Sequence, residues 1–387
     1  MNDRRVTQLD VLRTIAVVLV ICRHSRMPDL MDASLTTMLF RPLYYFGWSG
    51  VDLFFVLSGF LVSGLLFREY IAREEIRVGR FLVRRGLKIY PAFYVLIAIT
   101  FLIILYVRQF QPSLLKLSWP GNPPLKVFLS EALFVQNYFH GFWGHTWSLA
   151  IEEHFYLGIG LLLWAMSQVR RENPFHWMPA VFVTVGIATL ALRWFTFPSL
   201  GYSTLYRSHL RIDGLLFGVL LSYLTHFHYS KLQSFVGTNS RAISIASLAL
   251  ITPGFFVSPG EDRLMASFGL TAMYLGFGGL LLVALRVESP TAWLSKLSSP
   301  IANIGAYSYS IYLWHMAVRR GLYFFVFDRM QYPIPYIATV LINAVVSIAF
   351  GILMAKLVEL PVLRLRERFF PSLVANSAQA ARASAAG

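Results

Sequence analysis

Apolar runs of about 17 to 25 residues recur along nearly the whole of this 387-residue chain, which leaves few folds open. They fall at about 9–25, 44–66, 88–107, 147–166, 178–197, 211–227, 242–259, 264–286, 302–325 and 334–358. In lipid a run of that length satisfies its backbone groups only as a helix. Charged residues make up 14% of the chain, against about a quarter in soluble domains, and the strand-type alternation of a β-barrel is absent. The expectation is an all-α polytopic membrane protein, a bundle of about ten transmembrane helices. An even number places both termini on one side. That side collects 20 Lys and Arg, the other 13, and Arg13 lies inside the first span. Both termini are therefore expected in the cytoplasm, a bias carried mainly by 68–88 and the C-terminal end.

The same loop charges explain the net charge of +15, so no nucleic-acid partner is expected. One transmembrane domain is expected over 1–371, followed by a small, polar, disordered tail over 372–387. The single cysteine, Cys22, permits no intrachain disulfide. No His, Cys, Asp and Glu have metal-ligand spacing, and no metal is expected. The first span follows Arg4 and Arg5 as a signal peptide would, but it lacks a small-residue cleavage site and is expected to be retained.

Polar residues inside such spans are costly and by default serve function. The first span, Leu9 to Ser25, carries Arg13 and His24, eleven residues apart. At about 100° per residue this is within about 20° of three full turns, so the two share a helix face roughly 16 Å apart. The second span opens on Asp52, which needs a partner, and continues through Ser58; its Gly59 and Ser63 let helices approach closely. Before the third span, Arg84, Arg85 and Lys88 share a face, either as a topology anchor or as a phosphate site. Pro91 is expected to stop or kink that helix at its start.

The fourth span begins Trp147-Ser148 and carries Glu152, Glu153 and His154. The adjacent glutamates point about 100° apart and should have different partners, and Ser148 is placed to bond Glu152. The sixth opens with Arg211 and Asp213, which pair with each other or across the bundle. The ninth holds His315 behind a run of aromatics, either as a hydrogen-bonded structural residue or as a catalytic one. The tenth is expected to stop at Pro361, with Glu359 paired to a nearby arginine. The segment Leu125 to Tyr138 reads as interfacial.

Six stretches, LDVLRTIAVVLVICRH, GVDLFFVLSGFLVSGLL, RRGLKIYPAFY, HTWSLAIEEHFYL, RIDGLLFG and YSYSIYLWH, together resemble the acyltransferase-3 family of membrane acyltransferases, in the family's order. Members O-acylate carbohydrates and some macrolides. The resemblance runs from about Leu9 to Pro361. It implies that Arg13 and His24 are the Arg-x10-His pair needed for transfer. It matches Arg85 and Lys88 to an Arg-x-x-Arg pair, with Lys keeping the charge but losing the bidentate fork. It matches Glu152 and Glu153 to the family's paired acids. His154 stands where the family commonly has Gln and is given no role. Some members carry a C-terminal hydrolase-like domain, which is not expected here.

The resemblance further implies a cytoplasmic acyl-coenzyme A donor, acetyl-coenzyme A by preference, as co-substrate with no permanently bound cofactor. It also implies a hydroxyl acceptor on a carbohydrate or glycolipid, and a bacterial cytoplasmic (inner) membrane. Arg13, Arg85 and Lys88 would hold the coenzyme's phosphates. His24 would act as general base or acyl relay, with Glu152 or Glu153 orienting it or taking the proton. An extended pantetheine arm would lie between Arg13 and His24. Asp52, Ser58, Trp147, Ser148, Arg211, Asp213 and His315 are supporting candidates. The alternative is a transporter or flippase that uses the intramembrane charges as a pathway. The oligomeric state is not legible.

Overall fold

A computed structural model describes residues 7–25, 35–110, 125–139, 141–169, 171–286, 292–330 and 335–372. Those residues are helical throughout, with turns between. The N-terminal half holds α1 (Thr7–His24), α2 (Leu35–Phe46), α3 (Gly50–Arg73), α4 (Val78–Phe110), α5 (Leu125–Ala132), α6 (Trp147–Ser167) and α7 (Met178–Leu200). After these come α8 (Ile212–Phe227), α9 (Tyr229–Ile251), α10 (Leu270–Arg286), α11 (Ala292–Ala306), α12 (Ser308–Phe325), α13 (Tyr336–Met354) and α14 (Leu360–Phe369).

Six helical stretches are long and apolar enough to cross a membrane: Phe40–Arg73, Val78–Phe110, Gly144–Ser167, Met178–Leu205, Met265–Arg286 and Ile337–Phe369. The protein is a multi-pass membrane protein. The other expected spans are also helical. However, α1 carries Asp10, Arg13 and Arg23 in 18 residues, and α8 has only 16. Exposed Leu102 and Ile103 of α4, Val183 and Ile187 of α7, and Leu341 and Val345 of α13 give the bundle an apolar exterior. Charged side chains in the interior include ion pairs, Arg193 with Asp213 and Arg211 with Asp52.

The seam between α3 and α8 sets the spacing of the core. A Cβ on Gly59 would stand 1.9 Å from the Leu215 carbonyl oxygen, and one on Gly218 would stand 2.2 Å from that of Val56. Only glycine lets the two backbones meet here, as the small-residue pattern predicts. Against this seam pack α1 and α6, and α12 lies against α1. In α1, Asp10 in the first turn and Arg23 and His24 in the last suit the helix dipole.

Helix ends depart from the sequence reading in three places. Pro91 does not open its helix but lies inside the 33-residue α4; prolines are tolerated within bundle helices that neighbouring elements support. Pro361 does not stop the last span: a π-turn over Ala355–Glu359 shifts the hydrogen-bond register and the helix continues through α14 to Phe369. The span expected at 242–259 instead begins at Tyr229 and ends at Ile251, before Pro253. Leu125 to Tyr138 forms a helix only as far as Ala132 and then turns. All but Ser372 of the tail expected over 372–387, and the proline-rich part of 108–146, lie outside the described residues.

Candidate active site

Two connected spaces run through the bundle. A vestibule of about 640 Å³ is lined by Arg13, Arg68, Arg80, Arg84, Arg85, Lys88 and Arg366 together with Glu69. An inner cavity of about 100 Å³ shares Arg13, Leu61, Arg85 and Lys88 with it and reaches Ser58, Ser148, Glu152, Tyr156 and Tyr312. The predicted cations Arg13, Arg85 and Lys88 thus meet at the neck between the two. Arg13 also pairs with Asp10, one turn earlier, at 2.9 Å. One vestibule wall is formed by the segment 366–372: Arg84 pairs with Glu367 at 2.8 Å and donates to the Phe370 carbonyl, and Arg80 donates to that of Pro371.

Glu152 faces the cavity. Tyr156 Oη donates to it, and Ser58 Oγ lies 3.3 Å from its carboxylate and 2.6 Å from Tyr156 Oη. Glu153 points elsewhere and accepts from Tyr90 Oη at 2.8 Å. The two glutamates therefore have different partners, as their spacing requires. Ser148 does not bond Glu152; it lies 2.6 Å from Tyr312 Oη, which itself donates to the His145 carbonyl at 2.6 Å. With the tyrosine proton committed there, Ser148 donates to Tyr312. Glu359 has no arginine partner among the described residues and accepts from Ser310 Oγ at 2.6 Å.

His24 lies beyond the cavity lining. Its Nδ1 is 3.0 Å from His315 Nε2, while His315 Nδ1 is 2.5 Å from the Tyr312 carbonyl oxygen. A carbonyl can only accept, so His315 Nδ1 carries a proton. When His315 is neutral its Nε2 is the acceptor, His24 donates from Nδ1, and the lone pair of His24 lies on Nε2. Among the described residues His315, and neither glutamate, hydrogen-bonds the His24 ring. A third ring, His145, stands 4.9 Å from His315 and donates from Nε2 to the Leu313 carbonyl.

The Tyr312 ring lies 5.7 Å from the His315 ring and edge-on to Phe54 at 5.9 Å. Tyr312 thus lines the cavity on one side and neighbours the histidine pair on the other.

The remaining candidates form a separate buried layer. Arg211 pairs with Asp52 at 2.8 Å, across helices, and lies over the rings of Trp147 and Phe55. Asp213 pairs with Arg193 at 2.8 Å, and Arg193 also donates to Thr271 at 2.7 Å. Arg193 is 1% exposed and was missed by the sequence reading, although its charge within an apolar run was a visible signal. His145 and Glu131 were missed as well. Glu131, buried at the end of α5, accepts from the Trp143 N–H at 3.1 Å and from Thr146 Oγ1 at 3.1 Å, and so shapes the turn that presents His145.

Burial pushes the Glu131 carboxyl up to about 7, against the smaller pull of those donors. In the unfolded chain it titrates near about 4.3. The native state thus holds the proton more tightly, and the stability this gives is complete below about pH 4 and lost as pH rises through about 7. The melting temperature of the detergent-solubilised protein is expected to fall between about pH 5 and pH 8. Glu131→Gln should flatten that fall, as read by tryptophan fluorescence; equal slopes in both proteins would remove Glu131 as the cause.

Residues 6–356 match the Acyltransferase domain of the acyltransferase-3 family, and the chain belongs to that family. It is 30% identical over 341 residues to the peptidoglycan O-acetyltransferase OatA of Listeria monocytogenes serovar 1/2a, covering 82% of this chain and 50% of that protein. It is 27% identical over 330 residues to the O-acetyltransferase OatA of Staphylococcus aureus strain NCTC 8325, covering 82% of this chain and 51% of that one. The chain spans about half the length of these curated relatives. No solved structure matches it.

Proposed function

We propose that this protein is a membrane O-acetyltransferase that moves an acetyl group from cytoplasmic acetyl-coenzyme A to a hydroxyl of a carbohydrate acceptor on the far side of a bacterial cytoplasmic membrane. Ten spans with both termini in the cytoplasm, as the loop charges favour, put the vestibule on the donor side. The observation that carries the reading is the His24–His315 hydrogen bond, which leaves His24 Nε2 a free base at the end of an axis that starts in seven cations. The peptidoglycan named for the Listeria relative makes a cell-wall glycan the first acceptor to try.

In this mechanism Arg13, Arg85 and Lys88 hold the coenzyme's phosphates, Arg85 through its planar fork. Glu152, bonded by Tyr156 and Ser58, lines the same cavity as Arg85 and Lys88 and offers them a carboxylate at the neck. Glu153 serves from outside the cavity by tying α6 to α4 through Tyr90. The Tyr312 ring turns aside for the thioester to reach His24. The acceptor hydroxyl gives its proton to His24 Nε2 as its oxygen attacks the thioester carbonyl. The carbon–oxygen bond forms, the carbon–sulfur bond breaks, and the imidazolium returns the proton to the leaving thiolate.

The test is transfer of radiolabelled acetyl from acetyl-coenzyme A to extracted envelope glycan by the purified protein. Glycan-dependent release of coenzyme A with label in the glycan supports the reading. Absence of both, with no binding of acetyl-coenzyme A, returns the charges to the transporter alternative. Arg85→Ala should raise KM for acetyl-coenzyme A by about tenfold to a hundredfold, what hydrogen bonds to charged groups contribute. Arg85→Lys should recover part of it. Initial rates at varied donor check both, and an unchanged KM would take Arg85 out of donor binding.

A further inference from the structure

Beyond His24, on the side away from the vestibule, stand two arginines that the donor does not use. Arg23 precedes His24 on α1, and Arg319 lies one turn past His315 on α12. Both charges reach His24. Neither has a carboxylate within ion-pair reach among the described residues. The Arg23 guanidinium lies over the Tyr44 ring at 4.8 Å, that of Arg319 over the Tyr323 ring at 5.2 Å, and Arg319 Nε is buried without a hydrogen-bond partner.

Resting on the proposed reaction, we infer that Arg23 and Arg319 form the acceptor's subsite and bind an anionic group, a carboxylate or a phosphate, carried by the glycan near the hydroxyl that is acetylated. Three arguments support it. A guanidinium held over a ring makes no ion pair with it and keeps N–H donors for a carboxylate or phosphate. Arginines on the outer side run against the loop-charge rule, so topology does not explain them. General-base action also turns His24 into an imidazolium beside two cations; an acceptor that brings its own anion offsets that repulsion and so favours its own acetylation.

The experiment uses envelope glycan as extracted, after carbodiimide amidation of its carboxylates, and after phosphatase treatment, each offered to the wild-type protein with labelled acetyl-coenzyme A. Expected is a loss of transfer of about tenfold or more on one treatment. Loss on amidation identifies a carboxylate, and loss on phosphatase treatment a phosphate. Arg319→Gln and Arg23→Gln, checked for folding by size-exclusion chromatography, should transfer poorly and equally to treated and untreated glycan. Arg319→Lys should regain part of the rate and of the discrimination. Labelling of wild-type acceptor that neither treatment changes overturns the inference, as does a treatment that lowers wild type and Arg319→Gln by the same factor. If the wild type labels no untreated glycan, the proposed reaction itself has failed and the subsite falls with it.

Discussion

His24→Ala is expected to lower acetyl transfer by at least about 10²-fold, the least that a positioned general base supplies, while the protein still inserts and folds. The substitution removes the base but leaves the α1 backbone, the Arg13–Asp10 pair and the α1–α12 packing in place. His315→Ala should fall between wild type and His24→Ala. It keeps the base but loses the acceptor that fixes the Nδ1 proton of His24. Acetyl transfer to glycan, measured beside the yield of monodisperse protein, decides the matter. Full activity in His24→Ala would end the assignment. A His315→Ala variant as active as wild type would remove only the orienting role.

The second large effect is on stability. Arg193→Ala is expected to cost about 3 to 5 kcal/mol, because it strands the carboxylate of Asp213 in the core. At that cost much of the protein should fail to accumulate in membranes. The combined change Arg193→Met with Asp213→Leu should recover most of the loss, since apolar replacement of a buried pair is often neutral. Accumulation and melting temperature of the three proteins test this. A single variant as stable as wild type would show that the pair is dispensable.

Much of this site was legible in the sequence. The Arg13–His24 stripe follows from helical periodicity alone, and so does the separation of Glu152 from Glu153. That Arg13 joins Arg85 and Lys88 needed the resemblance, because it lies on α1 and they lie on α4. Partners across the bundle were the illegible part. Asp52 called for a cation, but nothing local selected Arg211, and the mate of Asp213 was Arg193, twenty residues earlier on another helix. The histidine that orients His24 lies 291 positions away. Helix ends misled at Pro91 and Pro361, because a proline's local cost is offset by neighbours that only the fold supplies.

The His24–His315 pair has an electrical consequence in the proposed reaction. In the proposed turnover the acetyl group departs outward as the formal equivalent of a cation, while the acceptor's proton returns inward to the sulfur. The two movements cancel. A proton lost to the outside instead would export one charge per cycle, at about 2.3 kcal/mol for each 100 mV. In the proposed reaction, a base that returns its proton to the leaving sulfur lets acetyl cross the membrane with no net movement of charge.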